Sequence, residues 1–365
     1  MFKSNVNIVI DSENQVYIFT LSEAGDLSFQ IWDLSLSNLE KGEVIQGEVL
    51  KFSSVIQKDD TIHLMSLSLD GYLLYHKYKD REWAKEKVAH FDLRSNYYHQ
   101  FEMLLDGDVV HLFYNYSNLI NSNIWTIQHI VYNSSKRYNV IRYISPKFPD
   151  SFSLDIDSQG IIHLLYPSVD NSNTRIYYSF FNPFAKRWSP HPRLVSRENT
   201  NCLYPILFID SKDNIHSLWI EEFENQATIS YHKSDSRGKE KFVWRKLSLP
   251  ARLKNISYPL IFEESENLIV QLESDKTISV LSSDNFGETW LTLNKLEVKG
   301  TLEMARIYGN FSKSKGKYKF AFVSLSPSSK PKFYFASSYF DSQEESSQLE
   351  IKGDKERPWY YKIFK

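Results

Sequence analysis

The chain of 365 residues has a single cysteine, Cys202, so no disulfide framework can hold it together from within. The setting, Thr200-Asn201-Cys202-Leu203-Tyr204, leads into an apolar run and fits a buried structural thiol rather than a nucleophile. An excess of one charge is also missing: 43 Lys and Arg face 45 Asp and Glu, with no long basic run. That balance argues against a nucleic-acid partner. No stretch approaches the roughly 20 apolar residues of a helical membrane span. The start, Met1-Phe2-Lys3-Ser4-Asn5, lacks the basic-then-apolar pattern of an export signal. The expectation is a soluble protein, cytoplasmic by default, or extracellular if a leader has been removed. Helical periodicity is absent too. What remains is 42% hydrophobic and 15% aromatic, which suffices for a large core.

The phrase Ile-His-Leu, or a close variant, recurs after acidic turns: Thr61-Ile62-His63-Leu64, Val109-Val110-His111-Leu112, Ile161-Ile162-His163-Leu164 and Asn214-Ile215-His216-Ser217. Successive histidines lie 48, 52 and 53 residues apart. Fainter copies place Tyr17 before them and Val270 and Lys319 after them. A period near fifty residues marks a chain built from repeated supersecondary units.

One copy shows the unit clearly. Ser151–Ile156 alternates apolar and polar residues, as a strand with two unlike faces does. Asp157-Ser158-Gln159-Gly160 is turn chemistry. Ile161–Tyr166 and Arg175–Phe181 are two further strands, and Trp188–Val195, with Pro190 and Pro192, is an outer edge. Four short antiparallel strands per repeat predict an all-β chain, a β-propeller of seven four-stranded blades, with six as the alternative count. The divisions fall near 7–50, 51–95, 98–146, 148–200, 201–253, 255–301 and 302–365, all in one domain spanning 1–365. Closure is expected to rest on packing between the first and last blades, with Trp359–Phe364 as the outer strand of the last.

His63, His111, His163 and His216 sit at one place in each unit, on the second strand. There they suit a structural role, donating to a neighbouring backbone carbonyl and fixing blade to blade. Because they do not line the innermost strand, no metal or other cofactor is expected from them.

Ser283-Asp284-Asn285-Phe286-Gly287-Glu288-Thr289-Trp290 resembles the Asp-box (BNR repeat) of sialidase-like propellers, matching at Ser283, Gly287, Thr289 and Trp290 and departing at Asn285. The resemblance implies a hairpin between a blade's third and fourth strands, locked by its polar residues, with Trp290 packed inward. Looser echoes end at Trp83, Trp188 and Trp244. The resemblance concerns architecture, because the sialidase reaction needs an arginine cluster and Arg306 alone falls on an inner strand. No catalytic set emerges; Asp150, Glu102, Glu303 and Arg306 are the candidates nearest the inner strands.

The approaches to the inner strands are aromatic and amide-rich, suited to stacking a sugar or peptide and bonding its edges. Tyr97, Tyr98, His99, Asp150, Tyr204, Tyr258 and Arg306 are the expected ligand-binding residues. Two functions follow. The first is a non-catalytic module that recognises a glycan or protein partner on the face where inner strands begin. The second is a glycan-active enzyme, a glycoside hydrolase or polysaccharide lyase, at the channel mouth.

Overall fold

Runs of Val, Ile, Phe and Tyr favour extended backbone, and Asp, Asn and Gly between them favour tight reversal. A computed structural model describes residues 5–334 except 34–35, 37–38, 133, 135, 146–151, 198–199, 224–225, 238–241, 251–255, 299–301, 311–315 and 327–328. Among the described residues there is no helix, and none long and apolar enough to cross a membrane.

The strands form six sheets. The N-terminal half of sheet I contains Val6–Ile10, Val16–Leu21, Leu27–Trp32 and Leu39–Gln46, and its C-terminal half Glu303–Gly309, Phe320–Ser326 and Ser329–Tyr334. Sheet II contains Val49–Ile56, Ile62–Ser68, Tyr72–Lys79 and Glu82–His90. Sheet III contains Asn96–Asp106, Val109–Asn118, Asn121–Val131 and Arg137–Ile144. Sheet IV contains Ser153–Ile156, Ile162–Asp170, Asn173–Asn182 and the short outer pieces Arg187–Trp188 and Arg193–Leu194. Sheet V contains Asn201–Ile209, Asn214–Phe223, Gln226–Asp235 and Arg245–Leu247, and sheet VI Ile256–Glu264, Asn267–Ser274, Thr277–Ser283 and Leu291–Glu297.

Burial falls from the first strand outward. Val6–Ile10 and Ile62–Ser68 are buried throughout, whereas Glu82–His90 and Leu291–Glu297 are largely exposed. The apolar clusters lie between sheets: Phe19 and Phe29 with Ile62 and Tyr78, Leu73 with Leu112, Phe113 with Leu164, and Ile176 with Trp219. A further cluster joins sheets V and VI to Ala305 and Phe322 of sheet I. Each sheet thus shields its neighbour, and the architecture is a β-propeller.

The ring closes differently from the expectation. Val6–Ile10 pairs in parallel with Glu303–Gly309, matching Asn7 to Arg306 and Ile8 to Ile307, so closure is a shared sheet and not packing alone. Hydrogen bonding removes two strand edges that packing would have left open. The third strand of that half is Ser329–Tyr334; the expected outer strand Trp359–Phe364 lies outside the described residues.

Polar side chains also tie sheets together. Ser158 donates through its backbone N–H and its hydroxyl to Asp213, each at 2.8 Å, and Ser211 does the same to Glu263 at 2.7 and 2.6 Å. Ser12 repeats the contact with Asp60. Each serine follows a turn aspartate whose carboxylate accepts the backbone N–H groups of its own turn, as Asp157 does from Gln159 and Ile161.

The histidines occupy the second strand, but their partners differ from the expectation. His163 bonds Tyr178 Oη at 2.7 Å and faces Asp157 at 3.5 Å; His216 bonds Tyr231 Oη at 2.8 Å and Asp210 at 3.0 Å. His63 lies between Gln57 and Tyr75, and His111 bonds His129. The partners are side chains of the same sheet rather than a neighbour's carbonyl, because the backbone carbonyls nearby are already used in the ladder. Tyr17 substitutes with its own hydroxyl on Asp11 at 3.2 Å.

Candidate functional site

The inner strands approach the axis side by side, and at their beginnings several ladders are irregular. In sheet III the register shifts opposite Gln100, between Tyr114 and Tyr116; in sheet V between Leu203 and Ile206; in sheet VI between Ile256 and Tyr258. A bulge turns side chains out of strict alternation. In sheet V it coincides with Tyr204 at φ 55°, the left-handed region that a tyrosine rarely adopts, followed by Pro205, which donates no ladder hydrogen bond.

These irregular segments line a small, partly open pocket. Its walls are mostly apolar, from Phe152, Pro205, Ile206, Met304 and Phe320. Tyr204 and Tyr258 stand together at one side, ring centroids 4.7 Å apart at 58°. Gln100, Ser153 and Arg306 supply the polar lining. Gln100 is committed to the frame: its amide donates to Phe152 O at 2.9 Å and to Glu102 at 3.1 Å, and accepts from Phe152 N at 3.0 Å.

Below the pocket the axis is filled by charge. Arg306 donates to Glu102 Oε2 at 3.2 Å, to Ser53 Oγ at 3.4 Å and to Phe101 O. Lys319 donates to Ser153 Oγ at 3.1 Å and Leu207 O at 3.4 Å, and lies 3.5 Å from Glu102 Oε1. Farther along, the half-exposed Lys317 pairs with Asp155 at 3.1 Å and donates to Ile209 O at 2.8 Å. Burial pulls the Lys319 ammonium below its usual range, with Glu102 and Asp155 opposing. Side chains from sheet I therefore reach sheets II, III, IV and V across the axis and close the floor of the pocket.

Of the residues expected from sequence, the structure gathers Tyr204, Tyr258 and Arg306 at this pocket. Tyr97, Tyr98 and His99 begin the adjoining strand but are not among its lining residues. Tyr98 stacks on Phe91 at 4.9 Å, while Tyr97 and His99 each pack against Trp125 at 6.0 Å. Glu102 is fully buried in its ion pairs, and Glu303 is half-buried at the start of its strand. Asp150 lies outside the described residues. Among the described residues no group of His, Cys, Asp and Glu is arranged to hold a metal. Cys202 is buried, and burial raises its thiol pKa.

Sequence reasoning missed Phe152, Met304, Phe320, Lys319 and Asp155. The available signal was polar residues inside otherwise apolar segments: Glu102 within Phe101–Met103 and Asp155 within Leu154–Ile156 on inner strands, and Lys319 within Tyr318–Phe320 at the start of a second strand. The repeat places Lys319 in the histidine register, which by itself carries no sign of a role at the axis.

The segment Ser283–Trp290 joins the third and fourth strands of sheet VI, the place the resemblance implies. Ser283 Oγ accepts from Gly287 N at 2.8 Å, Asn285 Oδ1 accepts from Thr289 N at 2.9 Å, and Trp290 Nε1 donates to Gly287 O at 3.1 Å. Asn285 Nδ2 also donates to Thr289 Oγ1 at 2.7 Å, where an aspartate would instead accept from the threonine hydroxyl.

No protein-family model matches the chain, and no curated protein matches it. Solved structures do. The β-propeller domain of Cps50 (Swd1) from Myceliophteria thermophila aligns with a TM-score of 0.52 at 8% identity, over 92% of this chain and 98% of that one. A prolyl endopeptidase aligns with a TM-score of 0.52 at 12% identity, over 87% of this chain and 46% of that one. The fucose-specific lectin from Aleuria aurantia gives 0.47 at 12% identity, over 82% and 98%. At such identities the likeness concerns the fold, and the fold is a β-propeller.

Proposed function

We propose that the chain is a single propeller of seven units that binds a glycan at its axial pocket without turning it over. The count follows if the seven-stranded sheet is divided at its parallel pair into four strands and three. The unit divisions are those given by the repeat, moved by about two residues where strands begin at Val49 and Asn96. The hairpin Ser283–Trp290 is read as an Asp-box variant with Asn285 in the aspartate's place, a device of architecture and not of activity.

The observation that carries the binding reading is the Tyr204–Tyr258 pair beside an apolar, guanidinium-edged pocket at the strand beginnings. Aromatic faces match the apolar face of a sugar ring, and the strained Tyr204 backbone is the kind of cost found where geometry serves a ligand. The non-catalytic reading is supported by the state of the carboxylates. Glu102 is held between Arg306 and Lys319, so it is in no position to pass a proton to a glycosidic oxygen. The inner strands among the described residues hold one arginine, and one guanidinium does not make an arginine cluster.

The test is a glycan array followed by calorimetry on the hits. Tyr204→Ala and Tyr258→Ala should each weaken binding about tenfold or more while the melting temperature stays nearly constant, since a stacked aromatic contributes on the order of 0.5–1.5 kcal/mol beyond its buried area. Equal loss of affinity and stability would assign both rings to packing. Product release that disappears in Glu303→Gln or Asp150→Asn would make the protein a hydrolase or lyase. Absence of any glycan ligand would turn attention to a protein partner.

A further inference from the structure

We infer that the ligand presents a carboxylate to Arg306, so that the recognised glycan is an acidic one bearing a uronic acid. The inference rests on the pocket being the glycan site and narrows its ligand by charge.

Three ionisable side chains meet in a buried place. Arg306 and Lys319 are each 4% exposed, and Glu102 between them is 0% exposed. Lys317 is matched by Asp155 farther along the axis and is half-exposed, so that pair is balanced. The buried trio therefore has two basic side chains and one carboxylate, and burial favours loss of charge at Lys319 rather than at Arg306. A charge held away from water is unfavourable unless an anion reaches it or it loses its proton, and a guanidinium does not lose its proton.

Of the two basic side chains, Arg306 is the one that lines the pocket. Its two terminal nitrogens are engaged by Glu102, Ser53 and Phe101 O, but its Nε is buried without a hydrogen-bond partner. A guanidinium has five N–H donors in a planar fork, and a carboxylate is the acceptor that matches it. Apart from the tyrosine hydroxyls, the other walls offer a neutral sugar edge little to bond: Gln100 is spent on Phe152 and Glu102, and Ser153 Oγ accepts from Leu207 N at 2.9 Å and from Lys319. A pyranose face against Tyr204 and Tyr258, with its carboxylate toward Arg306, uses both features at once.

The experiment compares matched ligands on the full chain by calorimetry: oligosaccharides ending in glucuronate or galacturonate against the same oligosaccharides ending in glucose or galactose. The acids should bind about tenfold or more tightly, as a charge-assisted hydrogen bond allows. That preference should persist at about 0.5 M salt, because screening acts weakly on buried pairs. Arg306→Lys keeps a cation for Glu102 and loses the planar fork. In that variant, shown folded by thermal melting, the acid-to-neutral ratio should fall toward one. If it does not fold, the wild-type comparison still decides. Equal affinity for acid and neutral ligands, or a preference abolished by salt, overturns the acidic-ligand inference and leaves the glycan site standing. No binding by either set overturns both.

Discussion

Among single residues, His163 shows most directly what the repeat is for. Its ring joins Tyr178 on the third strand to Asp157 in the turn, with no solvent near any of the three. His163→Ala removes both bonds and leaves a buried phenol and a buried carboxylate short of partners. The expected cost is about 1–3 kcal/mol, read as a lower urea midpoint, with ligand affinity unchanged because the pocket is lined by other residues. A variant as stable as wild type would remove the structural reading of the ring. The recurrence of His63, His111, His163 and His216 was plain in the sequence. Their partners were not: Tyr178 lies 15 residues from His163, and nothing in its neighbourhood marks its hydroxyl as the acceptor or donor.

Among elements, the hairpin Ser283–Trp290 and its echoes explain how a sheet grips the one before it. Trp290 meets Tyr231 of sheet V edge-on at 5.5 Å, Trp244 meets Tyr178 of sheet IV at 5.2 Å, Trp188 meets Phe113 of sheet III at 6.0 Å, and Trp83 meets Phe29 of sheet I at 5.6 Å. Gly287 permits the closest approach. Its φ is 83°, and an added Cβ would stand 2.0 Å from Tyr231 Oη. Gly287→Ala should therefore cost about 2 kcal/mol or more, from the left-handed backbone and from the clash together. Gly107→Ala, at φ 57° with nothing within 4 Å, is the control for the backbone part alone. Similar melting temperatures for the two variants would show that the Tyr231 contact yields freely. The glycine and the tryptophan were legible as a motif; the preceding sheet as their destination was not, because the motif is local and its target is some 60 residues upstream.

For the whole molecule, the buried imidazoles make the propeller sensitive to acid. Burial lowers the pKa of His63, His76, His111 and His232 to about 4, holds His129 well below its usual value and lowers His163. These rings are neutral in the folded chain and titrate near 6.5 once unfolded, so the unfolded state binds more protons below that pH. Their contribution is complete above about pH 6.5 and is lost as the pH falls from there through about 4. Asp59 and Glu288, held at about 2 by Lys79 and by Arg245 and Lys233, extend the loss in the same direction at lower pH. The melting temperature should be level from pH 8 to 7 and decline between 6.5 and 4, with several protons taken up on unfolding at pH 5. A level profile down to pH 4 would mean that the rings are already charged in the fold.

The sequence by itself determined the unit: its period, its antiparallel strands, its turn aspartates and the histidine and tryptophan positions, all set by local spacing and backbone preference. Tyr204 and Tyr258 were also visible as residues near the start of an inner strand, and Arg306 as the arginine within one. Tertiary structure alone decided what meets at the axis. The parallel pair of Val6–Ile10 with Glu303–Gly309, and the meeting of Arg306 and Lys319 over Glu102, join residues some 200 to 300 positions apart. Such meetings depend on the angle between successive sheets and on the number that fill the circle, and those are properties of side-chain packing between units rather than of any one unit.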